Sequence, residues 1–287
     1  GHAGYRMRSM KPRNNFLFYI IILFALGLRI ASVPTANMSY FILALVALSG
    51  TQGAIQALAI CWFFNLISPG IAAPASLGGI GGYVIILAAV VSVFVRYRAS
   101  QYQPAQKRIF SLTLAMGLFF FLHSLFFSAV TDVSLLKVVS WTVTTLTLLA
   151  AWGSLTAVQS EQLIRHLFNL LTLVMLVSLP LAALPLGYIR NQTGFQGILS
   201  HPQAYGTAMA LLGVWAVMGV LTSSRPPWKT IIVVGICTWS VFMSEARTGG
   251  LAMVGGVIAS IVASSILSRQ PVAKLFPGMR SARVILL

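Results

Sequence analysis

The chain has 287 residues, 58% of them hydrophobic and 8% charged, with a mean hydropathy of +0.90 and a formal net charge of +16. Soluble domains carry about 25% charged residues, so this composition cannot furnish one continuous water-facing surface, and a polytopic membrane protein remains. Disordered, collagen-like and disulfide-scaffold classes fall away as well, because apolar runs dominate and there are only two cysteines.

In chain order, Gly1–Arg6 ahead of Met7 read as a cloning remnant, and the native start is expected at Met7 or Met10. Lys11 and Arg13 lead straight into an apolar run over 16–33. The stretch 40–67 is long for one helix and is interrupted by Thr51-Gln52-Gly53, which predicts either one tilted span or a hairpin of two short ones. Pro69, Pro74 and the glycine pairs at 78–79 and 81–82 mark a connection before the next run at 80–95. Further runs cover 109–130, 134–157, 163–186, 203–221, 229–244 and 248–267, and Val284–Leu287 opens another.

Charge bias selects the hairpin. With a cytoplasmic N-terminus it gathers the basic residues of 6–13, 96–108, Arg165, Arg225, Lys229 and 269–283 on the inner side, leaving only Arg29, Lys137, Arg190 and Arg247 outside. Much of the +16 is therefore membrane topology rather than a nucleic-acid surface. The expected fold is an all-α polytopic transmembrane helix bundle of about ten spans plus the start of an eleventh. Residues 1–15 form the cytoplasmic N-terminus, 16–267 the membrane domain, and 268–287 a cytoplasmic loop entering a further span. The chain is expected to stop before part of the functional machinery.

Asp132, Glu161 and Glu245 are the whole acidic inventory, so a carboxylate-bound metal centre or a carboxylate pair is nearly out of reach; no metal site and no cofactor are expected. Cys61 and Cys237 lie in apolar runs and read as small core residues.

Two loops that this topology places outside carry the polar chemistry, 187–206 and 244–250. Pro202 suits a first helical position, with His201 as N-cap and Ser200 beside it, while Thr248 or Ser244 suits the cap of the second helix. Each helix would direct free N–H groups and a positive dipole end outward, which favours an anion. Arg190 and Arg247 add fixed positive charge, suited to bidentate phosphate contact, or else anchor spans to lipid headgroups. Arg29 and Lys137 sit near helix ends, where they can snorkel. His201 reads as a cap, a phosphate or sugar contact, or a proton acceptor. Glu245, the only carboxylate in either loop, reads as a base or as an ion-pair partner of Arg247 or Arg190. His123 reads as a hydrogen-bonded packing residue and Asp132 as a cap for a helix starting near Ser134.

The run Gly194-Phe195-Gln196-Gly197, then His201-Pro202-Gln203-Ala204-Tyr205-Gly206, followed one hairpin later by Ser244-Glu245-Ala246-Arg247-Thr248-Gly249, resembles the bacterial O-antigen ligase/polymerase superfamily. Its members show a Gly-Phe/Leu-x-Gly loop, a His/Asn-Pro-Asn-x-x-Gly helix start and a later Ser-x-Ser-Arg-Thr. Gln203 here stands where the family has Asn, and Glu245-Ala246 departs from the common serines. The resemblance implies a GT-C-like glycosyltransferase of the bacterial inner membrane whose active face is periplasmic. Such an enzyme takes a glycan from undecaprenyl diphosphate without metal or nucleotide sugar. A ligase passes it to lipid A–core, a polymerase to a second lipid-linked glycan acceptor. Carried onto this chain, the catalytic group is Arg247, Arg190, His201 and Glu245, with Gly194, Gly197, Ser200, Gln203, Ser244 and Thr248 against substrate. The rival is a non-enzymatic transporter or flippase of an anionic or lipid-linked substrate. It would use the same arginines but needs ionisable residues deep in the spans, where only His123 qualifies.

Overall fold

A computed structural model describes residues 15–73, 78–188 and 194–279. The chain is all-helical, 82% helix with no strand among the described residues. The helices are α1 (Asn15–Ala31), α2 (Val33–Leu48), α3 (Thr51–Leu66), α4 (Gly78–Val95), α5 (Pro104–Phe127), α6 (Thr131–Gly153), α7 (Ala157–Ser178), α8 (Pro202–Thr222), α9 (Trp228–Met243), α10 (Arg247–Ser268) and the short α11 (Val272–Leu275).

Five of these are long and apolar enough to cross a bilayer: α5, α6, α7 with its 3-10 extension to Ala183, α8 and α10. Four shorter apolar helices, 17–31, 33–48, 80–95 and 228–243, fall below that length. Large apolar side chains such as Leu112, Phe126, Phe242 and Leu251 lie on helix surfaces, the distribution expected of a chain solvated by lipid. This is a membrane protein.

The helices group into two compact units. The first holds α1, α2, nearly all of α3, and α4 to α6. A single residue, Ser32, separates α1 from α2; its Oγ accepts from Thr35 N at 3.4 Å, and Pro34 occupies the first turn, where its missing N–H costs nothing. Residues 34–39, outside the apolar runs read from the sequence, are therefore helical. The chain turns again at Ser49–Gly50, just ahead of Thr51-Gln52-Gly53, so the stretch 40–67 contains two helices. Gly53 lies inside α3, where the turn packs so closely that a Cβ would strike Ser49 Oγ and the Val46 carbonyl.

Arg29 departs from its expected snorkelling position. It is 5% exposed, and its Nη1 donates to the Ala73 carbonyl at 2.7 Å, with the Tyr40 hydroxyl also in hydrogen-bonding reach. An irregular segment brings a free carbonyl to the guanidinium, which holds it inside the fold. Asp132 lies within the first turn of α6 rather than capping it, because the helix starts earlier, at Thr131. Its charge still complements the helix dipole there. His123 is exposed and packs its ring against Phe127 and Phe119, at 5.2 and 6.2 Å, rather than making a hydrogen bond among the described residues.

The second unit takes Asn65–Ile71 and everything from Ser154 onward. Its centre is α8, on which α7, α9 and α10 all pack. Phe168 and Trp215 stack at 4.4 Å across the α7–α8 contact. Past α10, Phe276 is buried and Gly278 sits against the terminal carbonyls of α8, with a Cβ site 2.8 Å from Ser223 O and 2.9 Å from Leu221 O. Cys61 and Cys237 are both buried free thiols.

Candidate functional site

The site is built on the segment 194–200, which the second unit clamps from several sides. Ser200 N donates to Leu66 O at 2.7 Å and Ser68 N to Ile198 O at 2.8 Å, while Phe195 N donates to Met243 O at 2.9 Å. Phe195 is fully buried, its ring against Tyr205, Tyr188 and Trp239 at 5.1, 5.3 and 5.7 Å. Two left-handed residues shape the segment, Gly194 at φ +63 and Gly197 at φ +56. Side chains would not fit at either: a Cβ on Gly194 would lie 2.9 Å from Pro202 Cγ, and one on Gly197 would run into Ser178.

This clamp brings the two sequence motifs together. Gly206, one turn into α8, sits under Ser244 and Ala246, with a Cβ site 2.6 Å from Ala246 Cβ. Gly249 faces it from α10, its Cβ site 3.0 Å from the Gly206 carbonyl. Small residues at this crossing let the starts of α8 and α10 approach backbone to backbone.

The two helix starts differ, although the sequence reading treats them alike. At α8, His201 is the N-cap: its Nδ1 accepts from Gln203 N at 3.2 Å and its carbonyl accepts from Tyr205 N at 3.1 Å. With Pro202 lacking an N–H, Ala204 is the one residue of this first turn whose N–H has no acceptor among the described residues. At α10 the N-cap is Ala246, which has no capping side chain. Thr248 is inside the helix. Ser244 is buried, with its hydroxyl donating to Val241 O at 2.8 Å and accepting from Ala246 N at 3.3 Å. Among the described residues the N–H groups of Arg247, Thr248 and Gly249 therefore have no acceptor, and the first bond of the helix runs from Gly250 N to Ala246 O at 3.2 Å. The anion-receptive end is that of α10.

Arg247 is the first residue of that helix and is exposed. A cation opposes the dipole at this end, a local conflict that a bound anion would reverse. Glu245 is exposed two residues earlier with φ 54, a left-handed conformation rare outside glycine. Among the described residues neither charge is ion-paired; the one such pair is Arg165 with Glu161 at 2.7 Å. The pairing of Glu245 with Arg247 read as one possibility from the sequence is thus not made. Arg190 lies outside the described residues.

Both Glu245 and Arg247 line a groove of ≈ 980 Å³ between α9 and α10. The groove exists because α9 and α10 each pack on α8 and scarcely touch one another. Gly194, Tyr188, Glu245 and Arg247 form its polar end, and Val241, Phe242, Met253, Val254, Val257 and Ile258 its apolar walls. Those walls are absent from the sequence-based site. Their signal was the spacing of Gly250, Met253/Val254 and Val257/Ile258 along one helix face. Ser200, His201, Gln203, Ser244 and Thr248 line no part of the groove, and nor does Gly197, whose role is conformational.

The His201 cap also bears on its chemistry. With Nδ1 accepting from Gln203 N, the neutral ring carries its proton on Nε2. It can then donate to a phosphate or sugar oxygen, but taking up a proton would break the cap. The Glu245 carboxylate makes no such hydrogen bond among the described residues.

No family model, no curated protein and no solved structure matches this chain.

Proposed function

We propose that the chain is an O-antigen ligase-like glycosyltransferase that moves a glycan from undecaprenyl diphosphate to lipid A–core. In this reading it crosses the bacterial inner membrane about ten times, with a cytoplasmic N-terminus and the Arg247 end of the groove on the periplasmic face. The supporting observation is the groove itself: one end carries an arginine and a carboxylate beside the uncapped start of α10, and apolar side chains line the rest. A polyisoprenoid diphosphate has the same polarity profile.

The chemistry follows from that placement. The bond between the sugar's anomeric carbon and the diphosphate oxygen breaks, and its electron pair leaves with the diphosphate. Arg247 and the α10 N-terminus stabilise that growing negative charge, so no general acid is needed. The acceptor hydroxyl attacks the anomeric carbon and gives its proton to Glu245. His201 Nε2–H serves as a donor to substrate, and Arg190, from the loop 187–206, supplies a second cation.

The test is glycan transfer by the protein in liposomes, with undecaprenyl-diphosphate-linked glycan as donor, lipid A–core as acceptor and EDTA present. Glycan on lipid A–core supports the ligase. Growth on the lipid carrier alone reassigns the chain as a polymerase of the same superfamily. No transfer by folded protein overturns the enzyme reading in favour of a transporter.

A further inference from the structure

A second cavity, of ≈ 350 Å³, lies in the first unit where the start of α5 meets the end of α6. Its lining includes Tyr97, Tyr102, Gln106, Lys107, Trp152 and Gly153. Tyr97 and Tyr102 stack at 5.0 Å and 22°, and the Tyr102 hydroxyl donates to the Ala150 carbonyl at 2.8 Å, which ties the connection after α4 to the end of α6. Burial, with Tyr97 beside it, pushes the Tyr102 phenol up from its ordinary value, so the hydroxyl keeps the proton it donates. Gly153 makes room for that ring, since a Cβ there would lie 2.8 Å from Tyr102 Cε1.

Lys107 is the charged residue of the lining, and the charged residues that flank the lining in the chain share its sign. Arg98, Lys107 and Arg108 are exposed and unpaired among the described residues, while Arg96 donates to Ser92 O at 2.8 Å and Leu48 O at 3.3 Å. The one acid in this unit is Asp132, at the opposite end of α6, about 30 Å away along a helix rising 1.5 Å per residue. Apolar helices that end in aromatic and basic residues place those residues at the headgroup level of a bilayer.

We infer that the Tyr97/Tyr102/Lys107/Trp152 cavity is a binding site for the headgroup of an anionic phospholipid, its phosphate against Lys107 and the flanking arginines and its glycerol backbone against the aromatic rings. The site belongs to the first unit and the Arg247 groove to the second, and it does not depend on the proposed transferase activity. Phosphatidylglycerol, with one net negative charge and a compact headgroup, is the probe. The uncompensated cations supply the attraction, and the cavity supplies the selectivity over a merely basic surface.

The experiment is lipid titration of the purified chain, read by native mass spectrometry and by thermal shift in detergent. Phosphatidylglycerol is expected to bind in preference to phosphatidylcholine and to raise the unfolding midpoint. Lys107→Glu should weaken that binding about fivefold or more, the loss expected of removing one cation at a headgroup. Lys137→Glu, the same charge change in the other half of α6, should leave it unaltered. Tyr102→Phe, which removes one hydrogen bond but keeps the stacked ring, provides a second variant if Lys107→Glu folds poorly; it should weaken binding without abolishing it. Equal binding of both lipids overturns the proposal, as does an equal response of the Lys107 and Lys137 variants. So does a midpoint shift reproduced by inorganic phosphate alone, which would make this a soluble-anion site.

Discussion

Replacing Glu245 by glycine should make the protein more stable and less active at once. Ser244 closes α9 in a right-handed conformation and Glu245 follows at φ 54, donating its N–H to the Phe242 carbonyl at 3.1 Å. That is the position just past a helix where glycine is the usual residue. An L-residue in the left-handed region costs roughly 1–2 kcal/mol, and glycine gives back about 0.4–1 kcal/mol through its freer unfolded chain. Glu245→Gly should therefore stabilise by about 0.5–1 kcal/mol, a rise of about 1–3 °C in unfolding midpoint for a chain of this size. Glu245→Ala keeps the Cβ and hence the strain, so it should show no such rise. Both variants lose the carboxylate, and so does Glu245→Gln; transfer should fall about 10²–10⁴-fold in all three if Glu245 takes the acceptor's proton. The assay pairs thermal unfolding in one detergent with glycan transfer in liposomes. A glycine variant no more stable than the alanine variant would refute the backbone argument. Undiminished transfer by Glu245→Gln would remove the carboxylate from the chemistry, whatever the stabilities.

Arg247→Ala should abolish transfer while leaving the unfolding midpoint nearly unchanged, since the side chain is exposed and unpaired among the described residues; wild-type transfer would take Arg247 out of the site. His201→Ala should cost about 0.5–2 kcal/mol by removing a cap, and His201→Asn should recover most of it, both without displacing the pH–rate profile. A displaced profile in His201→Asn would restore the histidine as base. Gly206→Ala should destabilise by about 1–3 kcal/mol through overpacking, because the new methyl group meets Ala246 Cβ at 2.6 Å; an unaffected midpoint would mean that α8 and α10 can part without penalty. Val257→Trp should narrow the groove and raise the KM for a long-chain lipid-linked donor more than for a short-chain analogue, and equal changes would disconnect the groove from the lipid.

What the sequence reveals of this fold is local. Apolar runs and their Ser, Gly and Pro interruptions locate nearly every helix, and Pro202 after His201 marks a cap that depends only on neighbouring residues. The errors are cases where the partner lies far along the chain. Arg29 at a helix end reads as a snorkelling residue because nothing nearby reveals that Ala73, 44 residues on, supplies its acceptor. Phe195 sits in a polar, glycine-rich loop, yet it is fully buried, and beside the nearby rings of Tyr188 and Tyr205 the distant Trp239 closes over it. The short motifs do name Glu245 and Arg247 as neighbours. The groove beside them is a gap between α9 and α10, and a gap leaves no mark on residue order beyond a faint one-sided spacing.

Unequal helix lengths have a consequence for the membrane around the groove. With 16 residues, α9 spans about 24 Å, against about 31 Å for the 21 residues of α8 and 33 Å for the 22 of α10. A hydrocarbon core of about 30 Å is matched by the two flanking helices but not by α9. Its site end is set in by one turn, since Ser244 lies level with Gly206 rather than with Pro202. In the proposed topology, where α9 crosses the bilayer, lipids beside it would thin locally or let water and headgroups dip inward, at a cost of a fraction of a kcal/mol per Å. A dip at the α9 end beside Glu245 and Arg247 would let a lipid-borne phosphate reach Arg247 without leaving the headgroup layer.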